Sequence, residues 1–381
     1  MTAACGRRYI ADMSRNIEEL LGTRIRKNSK NGNSCSRRIL ILPIAALFLM
    51  LTGAAIPHVS EAAKGAMNSG DMTKPARGVP AILATDIGDD IDDSWALALL
   101  LRSPELDLKL VVTDYGKPFY RAKVAAKLLE AAGRSDVPIG LGPEVKGVTG
   151  EGEQAEWAKG YDLAKYPGTV KRDGVQALID LLMSSREPVT LICIGPLPTI
   201  AAALKREPRI VGHARFVGMD GSVRKGYGGK KDPDPEWNIK AAIPAAQRVF
   251  TAAWPMTITP LDTCGLVSLR GEKYAALRFS KDPLARALLE TYRVWLGENA
   301  AKAVRESTIL FDTVAVYLAL SEERDFCAME NLMIRVTDDG FTRIDPAGKA
   351  VGCAMGWKNL GGFEDFLVRR IGGESVAMRP K

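Results

Sequence analysis

The chain has 381 residues, with 52 Lys and Arg against 45 Asp and Glu. Nine of the basic residues but only four of the acidic ones lie in residues 1–62, so residues 63–381 carry 43 against 41 and are close to neutral. That balance lacks the basic footprint of a nucleic-acid binder, and the lone histidine after residue 62, His213, excludes most histidine-based chemistry, including Ser-His-Asp triads and histidine-rich zinc sites.

Residues 1–38 are polar and basic and end in Arg37-Arg38; an apolar run, Ile39 to Leu51, leads on to the small-residue segment Ser60-Glu61-Ala62. This order is that of a secretory signal peptide cut after Ala62, and it predicts an exported protein, periplasmic or secreted. The run is shorter than the roughly 20 residues of a membrane span; extended to Ile56, it gives an uncleaved N-terminal membrane anchor as the alternative. Residues 63–78, rich in Lys, Gly, Asn and Ser, read as a linker, and 79–381 as one domain with a single large core.

From Val79 short apolar runs alternate with helical patterns. Strands are expected at Ala81–Asp86, Leu108–Thr113, Val137–Leu141, Val189–Ile194, Ile210–Met219 and Pro255–Thr259. Helices are expected at 94–102, 119–132, 173–185, 197–206, 241–252 and 282–297. In the second of these, Ala122, Val124, Ala125, Leu128 and Leu129 form the apolar face, which leaves Arg121, Lys123, Lys127 and Glu130 outside. Strand–helix alternation predicts an α/β fold: a single domain with a mainly parallel, Rossmann-like open sheet and helices on both faces. Such sheets bind ligands beyond the carboxyl ends of their strands. Near the C-terminus a helix over Thr313–Ser321 precedes a hairpin, Leu332–Val336 and Phe341–Ile344, turning at Asp338-Asp339-Gly340. Cys193, Cys264, Cys327 and Cys353 match no zinc spacing; Cys193 and Cys264, in apolar strand-like runs, read as buried free thiols.

The end of the first strand carries the chemistry. Asp86, Asp89, Asp90, Asp92 and Asp93 fall within eight residues, directly before the apolar helix pattern of Trp95 to Leu101. One or two of them would suffice to cap a helix. Five would repel one another without a counter-charge, and a hard divalent cation, Ca²⁺ or Mg²⁺, prefers such oxygen ligands. A phosphatase of the Asp-x-Asp type would need an aspartate at position 84, which is alanine.

Five motifs in register resemble the nucleoside hydrolase family, of the inosine/uridine-preferring type. They are Ala84-Thr85-Asp86-Ile87-Gly88-Asp89-Asp90-Ile91-Asp92-Asp93, Ile194-Gly195-Pro196-Leu197-Pro198-Thr199-Ile200-Ala201, Glu236-Trp237-Asn238-Ile239, Leu261-Asp262-Thr263, and Asp312 opening Asp-Thr-Val-Ala-Val. The first departs from the family by the loss of its first aspartate and a longer spacing. The resemblance implies a Ca²⁺ ion held by Asp86, Asp93, the main-chain carbonyl of Ile194 and Asp312, with Asp86 also the general base. It implies ribose contacts from Asp92, Glu236 and Asn238; the longer turn leaves Asp90 as the alternative to Asp92. The activity implied is hydrolysis of the N-glycosidic bond of a ribonucleoside or related riboside by attack of an activated water. Small-molecule substrates and homo-oligomers are typical of such proteins.

Departures from the family bear on the substrate. Phe311 stands where a histidine often precedes the late aspartate, and Lys117 stands in place of an asparagine. The loop Gly226-Tyr227-Gly228-Gly229-Lys230-Lys231 either meets an anionic group or is an ordinary flexible loop. Trp237 either stacks on the base or packs in the core. The rival readings are a non-catalytic sugar- or nucleoside-binding protein on the same scaffold and a hydrolase of a different glycoside.

Overall fold

A computed structural model of the protein describes residues 78–148, 152–320 and 325–373. The predicted leader and all but the last residue of the predicted linker lie outside the described residues. In chain order the strands are β1 (Val79–Thr85), β2 (Leu106–Thr113), β3 (Ile139–Gly140), β4 (Val170–Lys171), β5 (Val189–Cys193), β6 (Ala214–Met219), β7 (Met256–Thr259), β8 (Cys327–Val336), β9 (Thr342–Ile344) and β10 (Lys349–Trp357). The helices are α1 (Asp92–Leu101), α2 (Pro118–Ala131), α3 (Gly174–Ser184), α4 (Pro198–Arg206), α5 (Trp237–Ala241), α6 (Ile243–Thr251), α7 (Leu261–Cys264), α8 (Gly271–Arg278), α9 (Pro283–Leu296), α10 (Thr313–Leu320) and α11 (Leu360–Ile371), with a further single turn at Ala155–Ala158.

The strands form one sheet in the order β4-β3-β2-β1-β5-β6-β7-β10-β8-β9. Pairing is parallel from β4 through β7 to β10; β8 runs antiparallel to both β10 and β9. The expected mainly parallel, doubly covered sheet is therefore present, with an antiparallel hairpin extending one edge. Strand β1 shows why both faces are covered. Ala81 and Leu83 enter one core while Ile82 and Ala84 enter the other, so apolar residues at every position leave no face for water. Residues of α1, α2, α8, α9, α10 and α11 fill the first core, and those of α3, α4 and α6 the second.

Helices α1 and α10 are unusual in being apolar all round. Trp95 to Leu100 and Val314 to Ala319 are at most 6% exposed, and the two helices pack against each other. Helices without a polar face belong in the interior, so their N-terminal ends open inside the molecule rather than at its surface.

Some expected bounds change. The strand expected over Val137–Leu141 shrinks to Ile139–Gly140, and the one over Ile210–Met219 begins only at Ala214, because Pro208–Gly212 is a 3₁₀ turn. The helix expected over 241–252 is two helices that break at Ala242. Pro244 cannot donate to the carbonyl four residues back, and its ring crowds that carbonyl. Strand β10 and helix α11 were not anticipated. Among the described residues no helix is long and apolar enough to cross a membrane.

Candidate active site

From β1 the chain winds outward through β2, β3 and β4, then returns to place β5 on the other side of β1. The crevice at this reversal is where open parallel sheets bind ligands. Asp86 follows β1 there, Asp114 follows β2, Ile194-Gly195 follow β5 and Asp220 follows β6. Asp92 and Asp93 open α1, and Asp312 immediately precedes α10.

Asp92, Asp93 and Asp312 come together: one carboxylate oxygen from each lies within 4.8 Å of the other two. They are only 5%, 2% and 2% exposed. Burial, followed by repulsion from neighbouring aspartates (Asp90 for Asp92, Asp86 for Asp93, Asp92 for Asp312), pushes all three carboxyls well above the usual carboxylate range. Two helix N-termini favour negative charge at this point. The group is dry, all-oxygen and short of positive charge, which is the donor set a hard divalent cation takes. The residues therefore fit the metal that the acidic turn predicted.

Asp86 lies just outside that close group, and Asp92, expected as a ribose contact, stands within it. Asp86 nonetheless acts on all three by charge, and its own carboxyl is raised to about 7, mainly by burial. Thr85 donates its hydroxyl to Asp93, tying the end of β1 to α1. Ile194 donates its N–H to the Ala84 carbonyl at 2.9 Å, and Gly195 then backs onto Asp86. A methyl group at Gly195 would stand 2.6 Å from Asp86 Oδ1 and 2.9 Å from its amide nitrogen, so the close approach requires glycine. Asp90 is partly buried, and its carboxyl is raised to about 6 by burial.

Arg121 corrects the expected helix face. It does not lie outside α2 but is 3% exposed and turned into the site. Its Nη1 donates to the carbonyls of Asp86 and, at 3.1 Å, Ile87; its Nε donates to the Tyr115 carbonyl, and Nη2 lies 3.5 Å from the Asp89 carboxylate. Its charge lowers the pKa of both Asp86 and Asp93. The turn it holds is tight: Tyr115 has φ +46° and Gly116 φ +85°, and a side chain at Gly116 would meet Nη2 at 2.8 Å.

The opposite wall is built from the loop after β6. Glu236 caps α5, accepting from Asn238 N at 2.8 Å and Ile239 N at 3.3 Å, and reaches back to Gly221 N at 2.9 Å. Burial raises its carboxyl to about 7. Asn238 donates its side-chain amide to the Met219 carbonyl at 2.9 Å. Asp262 accepts from the amides of Val223 and Arg224, each at 2.9 Å, which gives the Leu-Asp-Thr motif a part in holding this loop. Trp237 is 51% exposed and meets Tyr115 edge to face at 6.4 Å; Tyr227 meets Phe311 likewise at 6.3 Å. Lys117 pairs with Glu144 and Lys230 with Asp234, so these two lysines have carboxylate partners.

Asp114 was not singled out in the sequence. It is 3% exposed, accepts from Thr199 N at 3.0 Å and Thr199 Oγ1 at 2.8 Å, and so ties the first turn of α4 to the end of β2. Burial raises its carboxyl to about 7. His213 precedes β6, and its carbonyl accepts from Val189 at the start of β5, so it sits at the end of the sheet away from the site. The four described cysteines are buried and free, and Cys264 lies in α7 rather than in a strand.

Carboxylates gathered at the switch point of an open α/β sheet make a candidate site for a divalent cation, and the comparisons narrow this. Residues 81–358 match the family model described as inosine-uridine preferring nucleoside hydrolase, and the chain belongs to that family. It is 33% identical over 210 residues to the non-specific ribonucleoside hydrolase RihC of Klebsiella pneumoniae, covering 52% of this chain and 66% of that protein. It is 33% identical over 197 residues to the inosine-uridine preferring nucleoside hydrolase of Leishmania major, covering 48% and 61%. The matches thus span slightly less than two thirds of these relatives. Among solved structures, a plant nucleoside hydrolase superposes with a TM-score of 0.64 at 20% identity, covering 77% of this chain and 99% of that one. The purine-preferring ribonucleoside hydrolase of Gardnerella vaginalis gives 0.63 at 21%, covering 77% and 98%. At these identities the superpositions speak for the fold.

Proposed function

We propose that the chain is an exported, Ca²⁺-dependent hydrolase that cleaves the N-glycosidic bond of ribonucleosides. The observation that carries this reading is the convergence of Asp92, Asp93 and Asp312 from two buried helices at the switch point of a nucleoside hydrolase fold. These three, with Asp86 beside them and the Ile194 carbonyl as a further oxygen donor, would hold the ion. A bound divalent cation would supply a Lewis acid for the attacking water.

The protein's own groups account for the rest. Asp86, whose carboxyl burial raises above its ordinary value, takes the proton of the water as it attacks the anomeric carbon. Breaking the bond makes the sugar oxocarbenium-like, and the surrounding carboxylates stabilise that positive charge. Asn238 and Asp90 would hold the ribose hydroxyls, and those hydrogen bonds strengthen as charge develops. Glu236, whose oxygens are taken up by main-chain N–H groups, acts by setting the position of Asn238. With no imidazole near the crevice among the described residues, the departing base is assisted by stacking against the half-exposed Trp237, with Tyr115 beside it. Export rests on the basic, apolar, small-residue order of residues 1–62.

The test is release of free ribose from a panel of purine and pyrimidine ribonucleosides by the purified chain. Turnover of at least one is expected. Ribose bound but never released from any would leave a non-catalytic binding protein.

A further inference from the structure

The acidic turn is held by more than its own residues. Every main-chain carbonyl from Asp86 to Asp90 has a partner from elsewhere in the chain. Arg121 takes Asp86 and Ile87. Tyr120 Oη donates to Gly88 at 2.7 Å, and the Gln154 amide donates to the same carbonyl at 3.3 Å. Trp295 Nε1 donates to Asp89 at 3.0 Å. Gln154 Nε2 donates to Asp90 at 3.1 Å.

Gln154 is the common member. It is fully buried, and its side-chain oxygen accepts from Ser94 Oγ and from Thr291 Oγ1, each at 2.9 Å. One amide group therefore joins the first turn of α1, the middle of α9 and the acidic turn. Ser94 follows Asp93 directly, so the group that fixes Ser94 and the Asp90 carbonyl fixes both ends of the segment bearing Asp92 and Asp93. The approach is close: a methyl at Gly152 would stand 2.3 Å from the Gly88 carbonyl oxygen. A neutral amide suits this place because it offers a donor to a carbonyl and an acceptor to two hydroxyls at once. A carboxylate would lose the donor and add charge beside five aspartates.

We propose that Gln154 is a positioning residue of the acidic site, its side-chain amide holding Asp92 and Asp93 in the geometry that receives the divalent ion. This rests on the metal reading above, and its test separates the two. Gln154→Glu keeps the acceptor for both hydroxyls and removes the donor to Asp90; Val249→Ala, in the core on the other face of the sheet, serves as a control for general destabilisation. In metal-free protein, amide hydrogen exchange across residues 88–95 should speed up at least tenfold in Gln154→Glu and stay unchanged in Val249→Ala. Calorimetric titration with Ca²⁺ should show affinity at least tenfold weaker in Gln154→Glu only. Unchanged exchange in Gln154→Glu, or an equal change in both variants, overturns the inference. Absence of Ca²⁺ binding by the unsubstituted chain would instead remove the metal reading, and the exchange arm alone would then decide whether Gln154 positions the turn.

Discussion

Arg121 is buried with its guanidinium on the main-chain carbonyl of Asp86, so a cation from α2 meets the acidic turn from behind. Its three nitrogens engage Asp86, Ile87, Tyr115 and Asp89. The planar fork of arginine serves several acceptors at once, which the single ammonium of lysine does not.

Replacing Arg121 with alanine should therefore damage both stability and turnover. Three carbonyls lose a buried donor, and the aspartates lose their nearest cation. The expected cost is about 3 kcal/mol of unfolding free energy, with a fall in kcat on the order of 100-fold from displacement of Asp86. Arg121→Lys should recover only part of either. Urea denaturation and steady-state kinetics check both effects.

Gly195→Ala tests the wall behind Asp86. The added methyl would stand 2.6 Å from Asp86 Oδ1, so the carboxylate must move. Since a misplacement of about 1 Å costs on the order of 100-fold in rate, kcat should fall by one to two orders of magnitude while the melting temperature drops only a few degrees. A variant with full activity would place the working position of Asp86 away from Gly195.

Asp114 predicts a pH dependence of stability. Burial raises its folded-state carboxyl to about 7, above its ordinary value of 3.8. The native state then binds the proton more tightly than the unfolded state. Its contribution to stability is full below the unfolded value and is lost as pH rises through the folded one. Between about pH 4 and 7 this one group should lower stability by up to about 1.4 kcal/mol per pH unit. Asp114→Asn keeps an acceptor for Thr199 and removes the titration, so its stability curve over that range should be flatter than that of the unsubstituted chain in chelator-treated samples.

The sequence announced the acidic turn because its physics is local: five carboxylates in eight residues need positive charge wherever they are placed. The parallel sheet was equally legible, since strands buried on both faces are written as unbroken apolar runs. Arg121 was not, because helix periodicity assigns it to the solvent face and only the crevice gives a charged side chain reason to turn inward. Gln154 lies in no expected element, and its side-chain partners are 60, 64 and 137 residues away, a distance that no local pattern encodes. Asp114 was hidden by the same circumstance: its partner Thr199 lies 85 residues on. Conversely, Asp86 and Asp92 were both marked as site residues, but only the three-dimensional arrangement puts Asp92 in the close carboxylate group with Asp93 and Asp312.

The most direct test of metal-assisted hydrolysis at this site is the rate of ribose release from a turned-over ribonucleoside, measured on chelator-stripped protein before and after Ca²⁺ is restored. The rate should fall to background on stripping and return with Ca²⁺ in the unsubstituted chain, but not in Asp93→Asn. A stripped, demonstrably metal-free protein that retains its full rate would contradict the account.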